Sequence, residues 1–364
     1  MTRSALIVGG AGSVGSRIGG ILARRSDLHV IVGARSQDAA AQSVAASFGA
    51  DIRVIDLNAP ASWEAALRGV DLVIVCMDQQ GPSFAQKVLS SGIHYVDVTA
   101  GDSFFQSVEA LPGEEVRATA LLSVGLAPGI TNLLAADAAS ALDTVERIDI
   151  GLLLGLGDTH GEAALRWTLR NMLSERVVES QRVDFGRGWG SRWAHWMNFA
   201  DQHALTRTML GVGTATRMAF DSRLVTALGF AAGAVFGRSA RLEELLLRVA
   251  SMFSFGSDAC VAVAEATGLK GGKRAKAVAR FQGRREADVT ASVAAAASPC
   301  CWSKRSAVES STSISCSTRP RSPPASRGME AGCRCAGRRW WCFWERNWPG
   351  PIVHGKPSPG RRLT

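Results

Sequence analysis

Apolar positions in the first 125 residues fall in short runs that leave no polar face: ALIVG, HVIVGAR, DIRVID, DLVIVCM and HYVDV. Between them lie SRIGGILARR, QDAAAQSVAASF, SWEAALR and SFAQKVLSSG, whose apolar residues recur at helical spacing. Strands buried on both faces and joined by crossover helices predict a parallel sheet covered on both sides. The fold class expected is therefore α/β, a Rossmann-type doubly wound sheet.

The pattern changes after SVGLAPGITNLLAADAASAL. ALLSV reads as one more sheet strand, and Pro128 and Gly129 open a helix running to about Ala141. VERIDIGLLLG and ERVVESQRVDFG, with the helical EAALRWTLRNML and ARLEELLLRVASMF, predict a smaller α+β domain. WAHWMNFADQH reads as a polar stretch, and clear patterning stops near Ala295. The expected organisation is a nucleotide domain over 1–130, a substrate domain over 131–295 and an irregular tail over 296–364.

Charge sharpens that division. The chain of 364 residues has a net charge of +9, but residues 296–364 hold 12 Lys/Arg against 3 Asp/Glu. The first 295 residues balance at 29 basic and 29 acidic, which removes any general case for nucleic-acid binding. Six of the eight cysteines and five of the ten tryptophans also crowd the tail. Cys76 and Cys260 alone in the body fit a reducing cytoplasm, and no cysteine spacing supports a zinc module. The longest apolar stretch, Leu224 to Gly237, has 14 residues and is too short to span a bilayer, so a buried helix is expected and membrane contact is not.

Strand ALIVG runs into Gly10-Ala11-Gly12-Ser13-Val14-Gly15 and then a helix. In that context a GxGxxG loop is a dinucleotide cradle: Gly10 allows the turn, Gly12 lets a pyrophosphate approach, and Gly15 lets the helix pack on the strand. The second strand ends in Gly33, Ala34, Arg35 and Ser36, with no acid to bind a ribose 2′-hydroxyl. Small residues make room there, and Arg35 with Ser36 suits a 2′-phosphate, so the cofactor expected is NADP. Asp56 follows the third strand, where it serves either the adenine end or a turn.

Beyond the glycine loop, GIHYVDVTAG resembles the GxHYxDxTG signature of the saccharopine dehydrogenase-like NADP-binding oxidoreductases, with Ala100 a departure. VGLAPGITNLLAADAA is similar to the turn that follows it in that family, GxxPGxxxxLAA. The resemblance implies an NADP-dependent enzyme moving hydride at a C–N centre of a small amino-acid-like substrate, with the second domain over the nicotinamide end. A stand-alone enoyl reductase and a non-catalytic NADP sensor remain alternatives. The partner expected is a small molecule, and a homodimer is the assembly left open.

Proton-transfer candidates are few. Tyr95, the chain's one tyrosine, and His160, in a polar turn near Asp158, are the catalytic candidates, each with a structural alternative. Asp97, Thr99 and Pro128-Gly129 fall with Tyr95 at strand ends, and the helix start at Gly129 to Thr131 could receive an acidic group. His195 and His203 lie among aromatics that favour structural roles, and Arg166 with Arg170 could meet a substrate carboxylate or simply face solvent.

The tail has its own explanation. With G or C at wobble positions, the adjacent reading frame of Ala295 to Pro320 spells approximately AAGLALLLEQAVGRGVVHLDQLFDPA. That string is a helix followed by a segment similar to the family's GVxHxEQLFDP. The tail is thus expected to be an out-of-frame translation beginning near Ala294.

Overall fold

A computed structural model describes residues 2–158, 162–172, 179–236, 243–248, 256–302, 352–354 and 358–359. Six strands, β1 (Arg3–Val8), β2 (Leu28–Ala34), β3 (Asp51–Val54), β4 (Leu72–Val75), β5 (His94–Asp97) and β6 (Ala120–Leu121), form one sheet in the order β3-β2-β1-β4-β5-β6. Every pairing in it is parallel. This is the doubly wound order of dinucleotide-binding domains. Residue alternation sends Leu6 and Val8 to one face, with Trp63, Phe84 and Tyr95, and Ala5 and Ile7 to the other, with Ile18 and Leu22.

The crossovers are α1 (Ser13–Leu22), α2 (Ala39–Ser47), α3 (Trp63–Leu67), α4 (Ser83–Ser90) and α5 (Asp102–Glu109). Asp38 caps α2, accepting the Ala41 N–H at 2.9 Å. The helix α6 (Ile130–Ser140) then leads into the second sheet.

That sheet contains β7 (Thr144–Leu154), β8 (Ser180–Asp184), β9 (Ser191–Trp196), β10 (Gly213–Phe220), β11 (Ala259–Lys270) and β12 (Lys273–Arg284). It continues into the tail with β13 (Ile352–His354), giving the order β13-β12-β11-β7-β10-β9-β8, while β14 (Ser358–Pro359) also pairs with β12. Only β7 and β10 run parallel. The long β11–β12 hairpin turns on Gly271 and Gly272, at φ 57° and 71°, the left-handed pair that a two-residue hairpin loop requires.

Helices α7 (Glu162–Met172), α8 (Ala200–Thr208) and α9 (Arg223–Phe236), a helical segment α10 over 243–248, and α11 (Glu286–Ala297) complete the described elements. The polar stretch WAHWMNFADQH is thus the end of β9 and the start of α8. The expected buried helix over Leu224 to Gly237 is α9, but only one side of it is covered. Phe230 is buried, whereas Leu224, Leu228 and Val235 are 67%, 61% and 75% exposed.

A single apolar cluster joins the two sheets. Ile148, Ile150 and Leu152 of β7 share it with Ile18 of α1, Leu134 of α6 and Val289 and Val293 of α11. Polar links reinforce the junction. Arg17 on α1 pairs with Asp288 on α11, and Arg207 on α8 holds Asp102 and Glu109 of α5 at 2.8 and 3.2 Å. The helix α11 runs past Ala295 to Ala297, and a 3-10 turn over Ser298–Trp302 follows, with Cys301 buried. Apart from β13 and β14, the tail expected to be out of frame lies outside the described residues beyond Trp302.

Candidate active site

The glycine loop sits where β1 ends and α1 begins, and its backbone is tightly closed. A Cβ on Gly10 would lie 2.8 Å from the Ile7 carbonyl oxygen, and one on Gly15 would overlap Gly9 and lie 2.8 Å from the Gly10 Cα. Both positions therefore require glycine. Helix α1 begins at Ser13, after the Gly12 N-cap, with no side-chain cap and no acidic residue in its first turn. The N–H groups of Ser13, Val14 and Gly15 and the positive end of the helix dipole can receive a phosphate where Ala11 and Gly12 approach it. Arg17 reaches back along α1 to the Ser13 hydroxyl at 2.9 Å, placing a guanidinium at the same loop; the sequence reading had not singled it out.

At the ribose end, Arg35 is exposed and makes no ion pair or hydrogen bond among the described residues. Ser36 beside it donates to Asp38 at 2.9 Å. Gly33 does not open a pocket as expected: a Cβ there would meet Ile55, the Ile7 carbonyl and Leu6 at 3.1 to 3.2 Å, so its smallness serves sheet packing. Asp56 forms a turn, its carboxylate accepting the Asn58 N–H at 2.9 Å and its carbonyl accepting the Trp63 indole N–H at 2.9 Å.

A buried polar knot lies across the ends of β4 and β5. Tyr95 donates its hydroxyl to Asp97 Oδ2 at 2.7 Å, and Gln79 Nε2 donates to both, at 2.6 and 3.0 Å. The Thr99 N–H reaches Asp97 Oδ1 at 2.8 Å, and the Thr99 hydroxyl binds the same oxygen. Asp97 is wholly buried, and burial pushes its carboxyl up to about 6 against the opposing hydrogen bonds from Thr99 and Tyr95. Burial first, then the Asp97 charge, raises the Tyr95 hydroxyl well above its ordinary value, so it stays protonated. Tyr95 thus sits beneath Asp97 as its hydrogen-bond donor, with none of its surface open.

Two buried atoms at these strand ends lack partners. Gln79 Oε1 and Ser123 Oγ make no hydrogen bond, and Ser123 is held at φ 63° just beyond β6. Unpaired buried acceptors and hydroxyls are rare enough to mark a place where a ligand completes the bonding. They lie beyond the carboxyl ends of parallel strands, where doubly wound folds bind ligands. Glycine is again required at the Gly129 turn before α6, since φ is 134° and a Cβ would come within 2.6 Å of the Gly125 N.

The sequence of residues 5–121 matches the family model for the saccharopine dehydrogenase NADP binding domain. Over those residues the chain is similar to a saccharopine dehydrogenase NADP binding domain. NADP is therefore its cofactor, and the chain is of the NAD(P)-dependent oxidoreductase kind. No curated protein sequence matches it. Among solved structures it is similar to apo saccharopine dehydrogenase (L-Glu forming) from Saccharomyces cerevisiae. That match has 13% identity and a TM-score of 0.55, over 80% of this chain and 88% of that one. A second neighbour is C. glutamicum DAP dehydrogenase in complex with DAP, 16% identical with a TM-score of 0.45, over 80% and 86% of the two chains. At 13% identity the likeness to the first is one of fold.

The other candidates of this NADP-binding chain are placed as follows. His160 lies outside the described residues. Arg166 and Arg170 both meet Glu243, at 3.3 and 2.9 Å, so their charge is already partnered. The His195 ring stacks on Phe230 at 4.3 Å, and His203 bonds Asn198. Among the described residues no cluster of His, Cys, Asp or Glu could hold a metal, and no helix is long and apolar enough to cross a membrane.

Proposed function

We propose that the chain is an NADP-dependent oxidoreductase acting at a C–N centre of a small, amino-acid-like substrate. The observation that carries this reading is that Gln79, bonded to Asp97, and Ser123 lie at the carboxyl ends of the parallel strands with two buried polar atoms left unpaired. In this reading Gly10, Ala11, Gly12, Ser13, Val14 and Gly15 hold the diphosphate, and Arg35 takes the 2′-phosphate. Gln79 Oε1 and Ser123 Oγ receive the carboxamide end of the cofactor, which supplies or accepts a hydride when bound. Asp97, tied down by Tyr95 and Thr99, orients Gln79 through the amide hydrogen bond. Tyr95 is a positioning residue here, because its hydroxyl proton is committed to Asp97.

Residues 1–130 serve the cofactor in this scheme, and residues 131–295 bring the substrate to it. The locked state of Tyr95 favours one second reading, an NADP sensor without a working acid. Screening imines with amines, amino acids and enoyl thioesters for NADPH oxidation separates the readings. Turnover of a C–N substrate is expected. Turnover of enoyl thioesters alone would move the reaction to a C=C bond, and tight NADPH binding without any turnover would support the sensor.

A further inference from the structure

A cavity of about 290 Å³ opens on the second sheet, bounded by β8, β9 and the start of α9. Its lining includes Arg182, Arg192 and Arg223 and no carboxylate. Trp193 forms one wall at 58% exposure, and Ala219, Phe220 and Ala227 form apolar surface beside it. We propose that this cavity binds an organic anion, a carboxylate carried on a flat apolar body.

Three guanidinium groups beside one cavity repel each other unless an anion separates them. Arg182 has no ion pair or hydrogen bond among the described residues, and Arg223 makes a single long bond of 3.4 Å to the Ser191 carbonyl. Arg192 is fixed in place by the Trp189 carbonyl at 3.1 Å and the Asp221 carbonyl, with its guanidinium 5.3 Å from the Trp189 ring. The neighbouring carboxylate does not resolve this excess. Asp221 is turned to Ser257, accepting its N–H at 2.6 Å and its hydroxyl at 2.9 Å, and also accepts the Leu156 N–H at 3.3 Å.

A second observation points to a ligand. His195 lines the same cavity, and its Nδ1 is buried without a hydrogen-bond partner, while its ring is held flat against Phe230. An orphaned ring nitrogen beside guanidinium groups that have no ion pair among the described residues completes a polar end. The indole of Trp193 supplies the flat wall. Arg182 and Arg223 are free to form the forked bonds that carboxylates accept. All ten lining residues belong to the second sheet, α9 or the turns joining them, and none to the nucleotide-binding sheet. The proposal therefore stands independently of the hydride-transfer reading, and its test reads binding without turnover.

The test is calorimetric titration of the full chain with benzoate and with benzamide, its uncharged counterpart. Saturable benzoate binding is expected, with benzamide weaker by about ten-fold, the effect of one lost charge-assisted bond. R182A and R223A should each weaken benzoate by a similar factor and leave NADPH binding unchanged, with an unchanged circular dichroism spectrum and urea midpoint showing that the variants are folded. Competition between benzoate and the turnover substrate would identify the anion as the substrate's own carboxylate. Benzoate binding without competition would identify it as a separate anion. Absent benzoate binding, equal binding of benzamide, or benzoate binding untouched in both variants would overturn the proposal.

Discussion

Replacing Asp97 by asparagine should change how stability responds to pH. The folded-state carboxyl lies near 6, against an ordinary 3.8, because burial in the strand-end knot opposes ionisation more strongly than its hydrogen bonds favour it. An acid raised in this way holds more protons folded than unfolded between those two values, so stability falls as pH rises through that window. Ionising the buried group costs about 3 kcal/mol relative to the unfolded chain once the pH is above both values. Asparagine carries no such penalty. It does lose acceptor capacity toward Tyr95, Gln79 or Thr99, but that loss is the same at every pH. Urea unfolding of the two full chains, followed by circular dichroism, should therefore give a stability difference that moves in favour of D97N by about 3 kcal/mol from about pH 3 to about pH 7. A difference that stays flat, or that moves toward the wild type with rising pH, would refute the claim that burial dominates at Asp97.

R35A should weaken NADPH binding by about 1–3 kcal/mol and leave NADH nearly unchanged, measured by calorimetry; equal losses would remove Arg35 as the 2′-phosphate ligand. G15A should abolish NADPH binding or unfold the loop, because its Cβ would overlap the Gly9 backbone; unchanged affinity would contradict the closed turn. The gene should contain an inserted or deleted base near the Ala294 codon, whose reversal encodes VHLDQLFDP and raises solubility. Each leucine so restored to the junction beyond α11 would contribute about 1.5–3 kcal/mol of burial. A stop codon at once in the corrected frame would disprove this reading of the tail.

The nucleotide sheet was legible because its strands are apolar on both faces and its turn carries three glycines whose spacing has a physical cause. Helix α5 was not read from SFFQSVEA, where two adjacent phenylalanines obscure a helical period. Strands β10 to β12 escaped for a different reason. The buried positions of β11 and β12 are rich in alanine, as in ACVAVAEATGLK, and those of β10 include Thr216 and Arg217, so the alternation is weak in hydrophobicity and is settled by pairing, of β10 and β11 with β7 and of β12 with β11. The Gly271-Gly272 hairpin signal was present in the sequence and marked the turn between two of them.

The site was legible at GIHYVDVTAG as a place, and less so as an arrangement. Sequence spacing put Tyr95 and Asp97 on one side of β5, which fits their hydrogen bond. It could not show that Gln79, from the next strand end, closes the knot from above, nor that Gly33 is small for packing. The cavity arginines were invisible for the same reason, since Arg182, Arg192 and Arg223 meet only through the β8–β9 pairing and the approach of α9.

The central claim is NADP-dependent hydride transfer at a C–N centre, and the most direct measurement follows the hydride itself. The full chain is incubated with NADPH carrying deuterium at C4 of the nicotinamide and with the imine formed from a 2-oxo acid and an amine, and the product is analysed by mass spectrometry. One deuterium is expected on the carbon bonded to nitrogen, incorporated from one C4 position only, with no incorporation from the corresponding NADH at equal concentration. Product formed without deuterium at that carbon, or deuterium delivered equally from NADH, would contradict the claim.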